Sequence, residues 1–325
     1  MTEASAGTAL VAQVAARTTE QVSSVIVGKE EQVNLLRVAL LSEGHVLIDD
    51  VPGVAKTLLA KTLAAALGLR FARVQCTPDL LPADVTGSEV FNLKTGEFEF
   101  RPGPIFANMV LVDEINRATP RTQSSFLEAM EERQVTVEGQ SHELPRPFAV
   151  LATQNPVELK GTFPLPEAQL DRFLIRLRLG YPSAAEEERM LERFRSGDPL
   201  AAVVPVTSAE ELARARDAAR AVFVSPDVER YIVAIVRATR ESAAVALGAS
   251  PRAALSLMHA AQAAAVLAGR DYVTPDDVQR LAPAALAHRM MLARQELLER
   301  RDPETVVAAL LAEVPAPVEG PTAAG

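Results

Sequence analysis

The stretch VLIDDVPGVAKT, residues 46–57, is an apolar run followed by a Pro-Gly turn and a Lys-Thr pair. The residues after it, LLAKTLAAALG, carry apolar side chains at helical spacing, so the sequence predicts a strand, a loop and a helix in succession. A loop at the start of a helix directs backbone N–H groups and the positive end of the helix dipole toward a bound anion. Phosphate suits this geometry best, and we interpret the loop as a phosphate-binding site.

The loop resembles the pattern GxxxxGK[ST] but departs from it at two positions. Asp50 and Ala55 occupy the two glycine positions of the pattern, and only Gly53 remains inside the loop. Aspartate tolerates unusual backbone angles better than most residues, and alanine has the smallest side chain with a Cβ, so we expect the turn to survive. The alternative is an ordinary strand-turn-helix connection whose lysine is a solvated helix start.

The loop and the first turn of the helix are the predicted phosphate-binding segment. Lys56 is expected to reach the outer phosphates, and the Thr57 hydroxyl is expected to bind Mg²⁺. A nucleoside triphosphate and Mg²⁺ are therefore the predicted ligands. The residues assigned to this segment are Pro52, Gly53, Val54, Ala55, Lys56, Thr57 and Leu58.

Composition limits the class of protein. The chain has 325 residues, of which 48% are apolar and 23% charged, as in a folded globular protein long enough for two domains. A net charge of −9 provides no global attraction to nucleic acid or to an anionic membrane. The single cysteine, Cys76, cannot form an intramolecular disulfide. With no run of 18 apolar residues and no secretory start, we expect a cytoplasmic protein without membrane insertion.

Apolar patterning divides the chain into four parts. Residues 1–24 are predicted to be helical, residues 25–182 to alternate strands with helices, and residues 183–312 to form helices only. Residues 313–325 are rich in Pro, Gly and Ala and are predicted to be disordered. A strand-and-helix core followed by a helical domain is the simplest organisation.

Strands are predicted at five apolar runs, and the run at 175–179 alternates in the way an edge strand does. Two further stretches, near 90–101 and 135–144, surround glycine-containing turns and are predicted to be hairpins outside the main sheet. The other four strands are predicted to begin at Val46 and to cover 71–76, 109–113 and 149–153.

Polar side chains follow two of the buried strands. Asp113 and Glu114 end the run MVLVD, and sites in parallel sheets lie at such carboxyl ends. Asp113 is expected to bind Mg²⁺ and Glu114 to activate water, although an acidic helix cap is the alternative. Asn155 follows the next strand and could contact both the terminal phosphate and that water, although Asn before Pro is often a turn former.

Two arginines complete the predicted site. Arg172, in LDRF, could stabilise charge on a transferring phosphoryl group, as arginines from a neighbouring subunit do in other NTPases. The alternative role of Arg172 is an ion pair within the chain, with Glu167 or Asp171. Arg252 follows Ser250, a predicted helix cap, so its positive charge lies at the unfavourable end of the helix dipole unless an anion is bound nearby. We therefore expect Arg252 to reach back to the phosphates rather than to be an incidental surface charge.

These motifs, in this order, resemble those of AAA+ ATPases and specifically the MoxR family. The resemblance covers about residues 25–290 and is carried by VPGVAKT, TPDLLPADVTG, RPGPIFANMVLVDEINRA, QSSFLEAMEERQVTV, ATQNPVELKGTFPLPEAQLDRFL and GASPRAAL. It implies an α/β fold, with a P-loop core of five parallel strands flanked by helices and an all-helical C-terminal lid. It also implies that the two hairpins are insertions that project toward the pore of a ring.

The resemblance gives the candidate residues specific roles. Val27 and Gly28 match the segment whose backbone lies near the adenine of bound ATP. The remaining roles are Walker A for Lys56-Thr57, Walker B for Asp113-Glu114, sensor 1 for Asn155, an arginine finger acting in trans for Arg172, and sensor 2 for Arg252.

The implied function is Mg²⁺-dependent ATP hydrolysis that drives chaperone-like remodelling or activation of a protein client. Family members form rings, commonly hexamers, and are often partnered with von Willebrand factor A domain proteins. Three alternatives stay open: a motor subunit of the magnesium chelatase type, a DNA-translocating ring, which the acidic charge disfavours, and a nucleotide-gated scaffold that does not hydrolyse ATP. Asp50 and Ala55 motivate the scaffold.

Overall fold

Five parallel strands form the central sheet of this computed structural model, which describes residues 3–155, 161–195 and 197–317. Residues 318–325 of the predicted tail lie outside the described residues. In chain order the strands are β1 (Val46–Asp49), β2 (Phe71–Gln75), β3 (Gly87–Asn92), β4 (Glu97–Pro102), β5 (Met109–Asp113), β6 (Gln134–Val137), β7 (Gln140–Glu143), β8 (Ala149–Gln154), β9 (Ile175–Leu177), β10 (Val245–Leu247) and β11 (Met291–Leu292).

Helices precede, connect and follow these strands. In chain order they are α1 (Glu3–Val25), α2 (Glu30–Leu41), α3 (Lys56–Ala66), α4 (Pro82–Thr86), α5 (Pro120–Glu132), α6 (Glu167–Leu170), α7 (Ala184–Phe194), α8 (Ala209–Arg220), α9 (Pro226–Glu241), α10 (Pro251–Leu267), α11 (Pro275–Leu286), α12 (Arg294–Leu298) and α13 (Pro303–Glu313).

The central sheet has the order β2-β5-β8-β1-β9, with every pair parallel. β9 is an edge strand, as its alternating sequence predicted, and β5 is buried along its whole length. Side chains on one face, such as Ile48 and Leu111, pack with α2 and α3, whereas Val110 and Val150 on the other face pack with α5. Helices therefore cover both faces, and the predicted α/β class is confirmed.

Two hairpins lie outside this sheet. β3 pairs with β4 and β6 with β7, each as an antiparallel two-stranded unit. The rings of Phe100 on β4 and His142 on β7 stack with centroids 3.9 Å apart, so the two hairpins contact each other. At the far end of the first hairpin, Phe91 and Phe98 lie edge to face, with centroids 5.2 Å apart, and are largely exposed.

The described residues after 183 are mainly helical, but they include a short strand pair that the sequence did not predict. β10 and β11 form a short antiparallel pair that joins the end of α9 to the segment before α12. Strands of three and two residues are too short to produce a recognisable alternation, which explains why the sequence predicted helices only. Two helices of this part of the chain begin with side-chain caps: the Ser208 hydroxyl accepts a hydrogen bond from the N–H of Glu211, and the Thr274 hydroxyl accepts one from the N–H of Asp277.

The N-terminal helix connects the two parts of the fold. α1 packs against α3 of the strand-and-helix core and also against α8 and α10 of the helical part. At Gly7 the contact is close, because a Cβ added there would lie 3.0 Å from the Cβ of Ala218. No helix in the described residues is long and apolar enough to cross a membrane.

Candidate nucleotide-binding site

The loop between β1 and α3, residues 50–55, keeps the predicted turn. Gly53 has φ +86° and Ala55 has φ +63°, so both occupy the left-handed region. An alanine in this region costs about 1–2 kcal/mol that a glycine would not, and the loop tolerates that strain. Helix α3 then begins at Lys56 with no side chain capping it, which leaves its first N–H groups suited to an anion.

Asp50, the other departure from the glycine pattern, is a buried structural residue. Its Oδ2 accepts hydrogen bonds from the backbone N–H groups of Leu179 at 2.6 Å and Gly180 at 2.7 Å. Its Oδ1 accepts from the N–H of Val51 at 2.8 Å. Lys56 in turn donates from Nζ to the carbonyl oxygen of Asp50 at 2.8 Å. Asp50 therefore ties the start of the loop to the chain that follows β9.

Asp113 is held by side chains from both neighbouring strands. Thr153 on β8 donates to its Oδ1 at 3.2 Å, and Arg73 on β2 donates from Nε to its Oδ2 at 2.6 Å. Only 8% of Asp113 is exposed, so these two partners fix the carboxylate at the end of β5. The end of this sheet at which the parallel strands finish, with the loop 50–55 and Asp113, is called the carboxyl edge below.

Glu114 adopts φ +56°, an unusual backbone conformation for glutamate. Its N–H donates to the Thr153 hydroxyl at 2.9 Å, and its Oε2 accepts from Gln75 Nε2 at 3.1 Å and lies 3.5 Å from Arg117 Nη1. Strained residues held by several partners are frequent at functional sites. Since Thr153 lies near the end of β8 and Gln75 at the end of β2, Glu114 lies at the carboxyl edge together with Asp113.

Lys56 lies within electrostatic range of both acidic residues. Burial lowers the pKa of the Lys56 amine, and the negative charges of Asp50, Asp113 and Glu114 act in the opposite direction. Lys56 follows the loop at the end of β1, and Asp113 and Glu114 follow from the end of β5, a parallel strand of the same sheet. The topology therefore places Lys56, Asp113 and Glu114 at one edge of the sheet.

Asn155 follows β8 at the same edge. The preceding residue, Gln154, is paired with Asp49 at the end of β1, and its carbonyl oxygen accepts the N–H of Asp50 at 3.3 Å. Asn155 is buried. It directly follows Gln154, whose carbonyl oxygen contacts the first residue of the loop. Residues 156–160, which follow it, lie outside the described residues.

An apolar cavity of about 270 Å³ adjoins the loop. It takes residues from the segment before α2, from the loop, and from α7. Gly28 has φ +66°, a left-handed conformation that favours glycine, and it lies against the carboxylate end of Glu186 on α7. The apolar lining includes the predicted Val27 and Leu58, together with Ile26, Val54, Met190 and Phe194.

The residues present fit a nucleotide with Mg²⁺. Apolar walls suit a base, the uncapped start of α3 suits phosphates, and the Thr57 hydroxyl and Asp113 carboxylate are oxygen ligands of the kind Mg²⁺ prefers. Within the described residues, no group of three or more His, Cys, Asp or Glu side chains could hold a metal ion alone.

Arg172 and Arg252 lie at the opposite end of the sheet, where the strands begin, called the amino edge below. Both pair with Glu131 near the end of α5, Arg172 at 2.9 Å and Arg252 at 3.3 Å. The neighbouring Met130 carbonyl contacts His45, the residue before β1, at 3.0 Å. Four strand residues separate this edge from the loop, which corresponds to roughly 13 Å at 3.3 Å per residue.

The expectation that Arg252 reaches back to phosphates on its own chain is therefore not met. The start of α10 rests on the amino edge, because Ser250 donates from its hydroxyl to Asp171 at 2.9 Å instead of capping the helix as predicted. Arg172 pairs with Glu131 rather than with Glu167 or Asp171. The two arginines lie together, remote from Lys56 of the same chain.

Two family models match the chain. The model described as "ATPase family associated with various cellular activities (AAA)" matches residues 45–175, and the AAA lid domain model matches residues 237–310. An uncharacterized protein of Bacillus subtilis, YeaC, is 50% identical over 92% of this chain and 94% of its own length. Chaperone MoxR1 of Mycobacterium tuberculosis is 42% identical over 91% of this chain and 81% of its own length.

The chain belongs to the MoxR family of AAA+ ATPases.

A solved structure agrees with this MoxR-family assignment. The crystal structure of a candidate ATPase from Cytophaga hutchinsonii matches with a TM-score of 0.89 and 36% identity, over 96% of this chain and 97% of that one. The match includes both the strand-and-helix core and the helical part. The MoxR-family fold predicted from the motifs is therefore confirmed.

Sequence reasoning missed several residues that shape the site of this MoxR-family chain. Thr153 bridges Asp113 and Glu114, while Arg73 and Gln75 on β2 each hold one of the two carboxylates. A polar residue at the end of an apolar strand next to Asp113 was the available signal for Thr153. The β2 residues carried no such signal, because alternation along an edge strand predicts polar side chains regardless of function.

Proposed function

We propose that this MoxR-family chain hydrolyses ATP with Mg²⁺ and uses that reaction to remodel or activate a protein client in a chaperone-like way. The observation that carries the proposal is that Lys56, Asp113 and Glu114 lie at one edge of the sheet with loop 50–55, which lines an apolar cavity. The similarity to a protein named Chaperone MoxR1 supports the chaperone-like part.

Residues of the carboxyl edge bind the nucleotide in this proposal. The apolar cavity, with Val27 and Gly28 at its rim, takes the base, and loop 50–55 with the start of α3 takes the phosphates. Lys56 contacts the outer phosphates. Thr57 and Asp113 hold Mg²⁺, which when bound neutralises phosphate charge and orients the phosphoryl group.

Glu114 activates the attacking water, and Asn155 orients that water against the terminal phosphate. General-base catalysis of this kind contributes roughly 10²- to 10⁴-fold to the rate. Gln75 donates to Glu114 Oε2 at 3.1 Å, which leaves Oε1 to accept a hydrogen bond from the attacking water.

The two arginines act on a neighbouring chain. Since Arg172 and Arg252 lie at the amino edge, one chain supplies the phosphate site and the next supplies the guanidinium groups. A head-to-tail contact of this kind generates a ring if the rotation closes, and we propose a hexamer. A cytoplasmic location and a von Willebrand factor A domain partner belong to the same proposal.

The first hairpin is the proposed contact with the client. Phe91 and Phe98 are 47% and 65% exposed, and Leu93 at the turn is 90% exposed. Clustered exposed apolar side chains commonly mark surfaces that bind other proteins. Capture of proteins by the Glu114→Gln variant, compared with the same variant also carrying Phe91→Ser and Phe98→Ser, tests this role; equal capture by both would reject it.

Phosphate release by the purified chain tests the proposal as a whole. The wild type should release phosphate from ATP only with Mg²⁺, Lys56→Ala should release none and bind nucleotide weakly, and the exposed-lysine control Lys61→Ala should match the wild type. Nucleotide binding without turnover in the wild type would reject hydrolysis and favour the nucleotide-gated scaffold.

A further inference from the structure

Arg289 is a buried cation close to the proposed arginine finger. It lies between α11 and β11, and its side chain is only 1% exposed. Its Nη2 donates to the carbonyl oxygens of Asp171 at 3.2 Å and Phe173 at 2.8 Å, which are the residues on either side of Arg172. The same nitrogen also donates to the Ser256 hydroxyl on α10 at 3.0 Å.

The Asp171 carboxylate is held from two directions. Arg289 Nε lies 3.2 Å from its Oδ1, and the hydroxyl of Ser250 donates to its Oδ2 at 2.9 Å. The neighbouring His288 contacts the carbonyl oxygen of Phe173 through Nε2 at 2.8 Å. Residues of the helical part therefore contact the backbone of Asp171 and Phe173, on either side of Arg172, and the carboxylate of Asp171. All of these contacts join the helical part to the amino edge.

These contacts are not an efficient way to stabilise a fold. Burial lowers the pKa of the Arg289 guanidinium to about 10, with the charge of Asp171 acting in the opposite direction. Its Nε and Nη1 atoms are buried and make no hydrogen bond. Replacing a buried ion pair by apolar side chains is often neutral or stabilising, so an incompletely bonded cation here requires another reason. Fixing the geometry of the neighbouring Arg172 is such a reason.

We propose that Arg289 is a positioning residue that holds Arg172 in place through its hydrogen bonds to the residues on both sides of it. In this way Arg289 couples the helical part of one chain to ATP hydrolysis in the next. This inference rests on the proposed function, because it requires Arg172 to act on a neighbour's nucleotide. Arg289 itself touches neither nucleotide nor water.

The inference predicts a specific kinetic pattern. Arg289→Met keeps an unbranched side chain, although a shorter one, and removes the charge and the N–H groups, so Arg172 should lose its fixed position. Misplacement of a catalytic group by about 1 Å can cost roughly 10²-fold in rate, and we expect a fall in kcat of that order. Nucleotide affinity should be unchanged, because Lys56 and the cavity lie at the other edge. The exposed-arginine control Arg294→Met should match the wild type.

A double variant tests whether Arg289 acts through Arg172. If it does, Arg172→Ala with Arg289→Met should be no slower than Arg172→Ala alone, since the second change removes support for a group already missing. If the rate losses of the two single variants multiply in the double variant, the inference is overturned.

Mixed rings test which site Arg289 serves. Arg289→Met subunits should regain activity with Lys56→Ala subunits, which supply an intact finger, and should not regain it with Arg172→Ala subunits. Recovery with Arg172→Ala subunits instead would place Arg289 at its own chain's nucleotide and overturn the inference. A wild-type rate for Arg289→Met alone would do the same.

Two further comparisons keep the test decisive. If Arg289→Met does not fold, Asp171→Asn removes the opposite charge with little change of shape and should show the same pattern of recovery; recovery with Arg172→Ala subunits, or a wild-type rate, would again overturn the inference. A wild-type chain without phosphate release would instead reject the proposed function itself. The two failures are therefore distinguishable.

Discussion

The two edges of the central sheet carry opposite chemistry. At the carboxyl edge, an uncapped helix start, Lys56 and the Asp113–Glu114 pair surround the end of a loop beside an apolar cavity. At the amino edge, Arg172 and Arg252 share a single carboxylate, that of Glu131. The first arrangement can bind a triphosphate with Mg²⁺, and the second can stabilise negative charge that develops on one.

In our proposal, one chain holds two halves of different sites. A strand length, roughly 13 Å at 3.3 Å per residue, separates the halves, so in this proposal they serve different nucleotides. In a head-to-tail assembly, the amino edge of one chain would face the carboxyl edge of the next.

Arg172→Ala is expected to have the largest effect at the amino edge. An arginine supplied to a neighbouring active site contributes about 10³- to 10⁵-fold in other NTPases, so phosphate release should fall by at least about 10³-fold. Nucleotide binding, followed with a fluorescent analogue, should stay at the wild-type level because the carboxyl edge is intact. Full activity of Arg172→Ala would remove it from the reaction. The exposed Arg237→Ala serves as the matched control.

Glu114→Gln is expected to have the next largest effect, at the carboxyl edge. The amide cannot accept a proton from water, so hydrolysis should fall by at least about 10²-fold while ATP remains bound. Phosphate release and nucleotide affinity, measured on the same preparation, separate the two quantities. The exposed Glu20→Gln should leave both unchanged. An unaltered hydrolysis rate in Glu114→Gln would exclude Glu114 as the group that activates water.

Asp50→Ala should lower the free energy of unfolding, and not only the rate of catalysis. The change leaves the buried N–H groups of Leu179 and Gly180 without their acceptor, which should reduce the free energy of unfolding by about 2–3 kcal/mol. Denaturant unfolding measures this loss, with the exposed Asp271→Ala as control. If unfolding is unaffected and only nucleotide affinity falls, Asp50 acts on the ligand and not on the fold.

Ala55→Gly should have the smallest effect and the opposite sign. Glycine adopts the left-handed conformation of this position without strain, so the free energy of unfolding should rise by about 1 kcal/mol. The same change at Ala65, inside α3, should lower it by a similar amount, because glycine weakens a regular helix. Equal effects at the two positions would contradict the claim that Ala55 is strained.

The carboxyl edge was largely predictable from the sequence. Parallel strands place their ends on one edge, so residues that follow apolar runs, such as Asp113 and Asn155, must lie near the loop that follows the first strand. Local patterning therefore predicted the fold class and the edge of the sheet at which these residues lie. The φ value of Ala55 also follows from the glycine position that it occupies in the loop.

The amino edge could not be predicted in the same way. Its geometry depends on where the helical part docks, which long-range contacts decide: Ser250 reaches Asp171 across 79 residues, and Arg289 reaches Phe173 across 116. No local pattern encodes such pairings. For the same reason, the sequence showed Asp50 only as a departure from the loop pattern. Its role as an acceptor depends on Gly180, which is 130 residues away.

Mixing Arg172→Ala subunits with Lys56→Ala subunits tests most directly whether the two edges belong to one shared site. Each variant alone should be inactive, because the first lacks the finger and the second the phosphate site. In randomly mixed rings about a quarter of the contacts join an intact phosphate site to an intact finger, so activity should return toward about that fraction of wild type. If the subunits co-assemble and activity stays at the level of the separate variants, the two edges do not form a composite site.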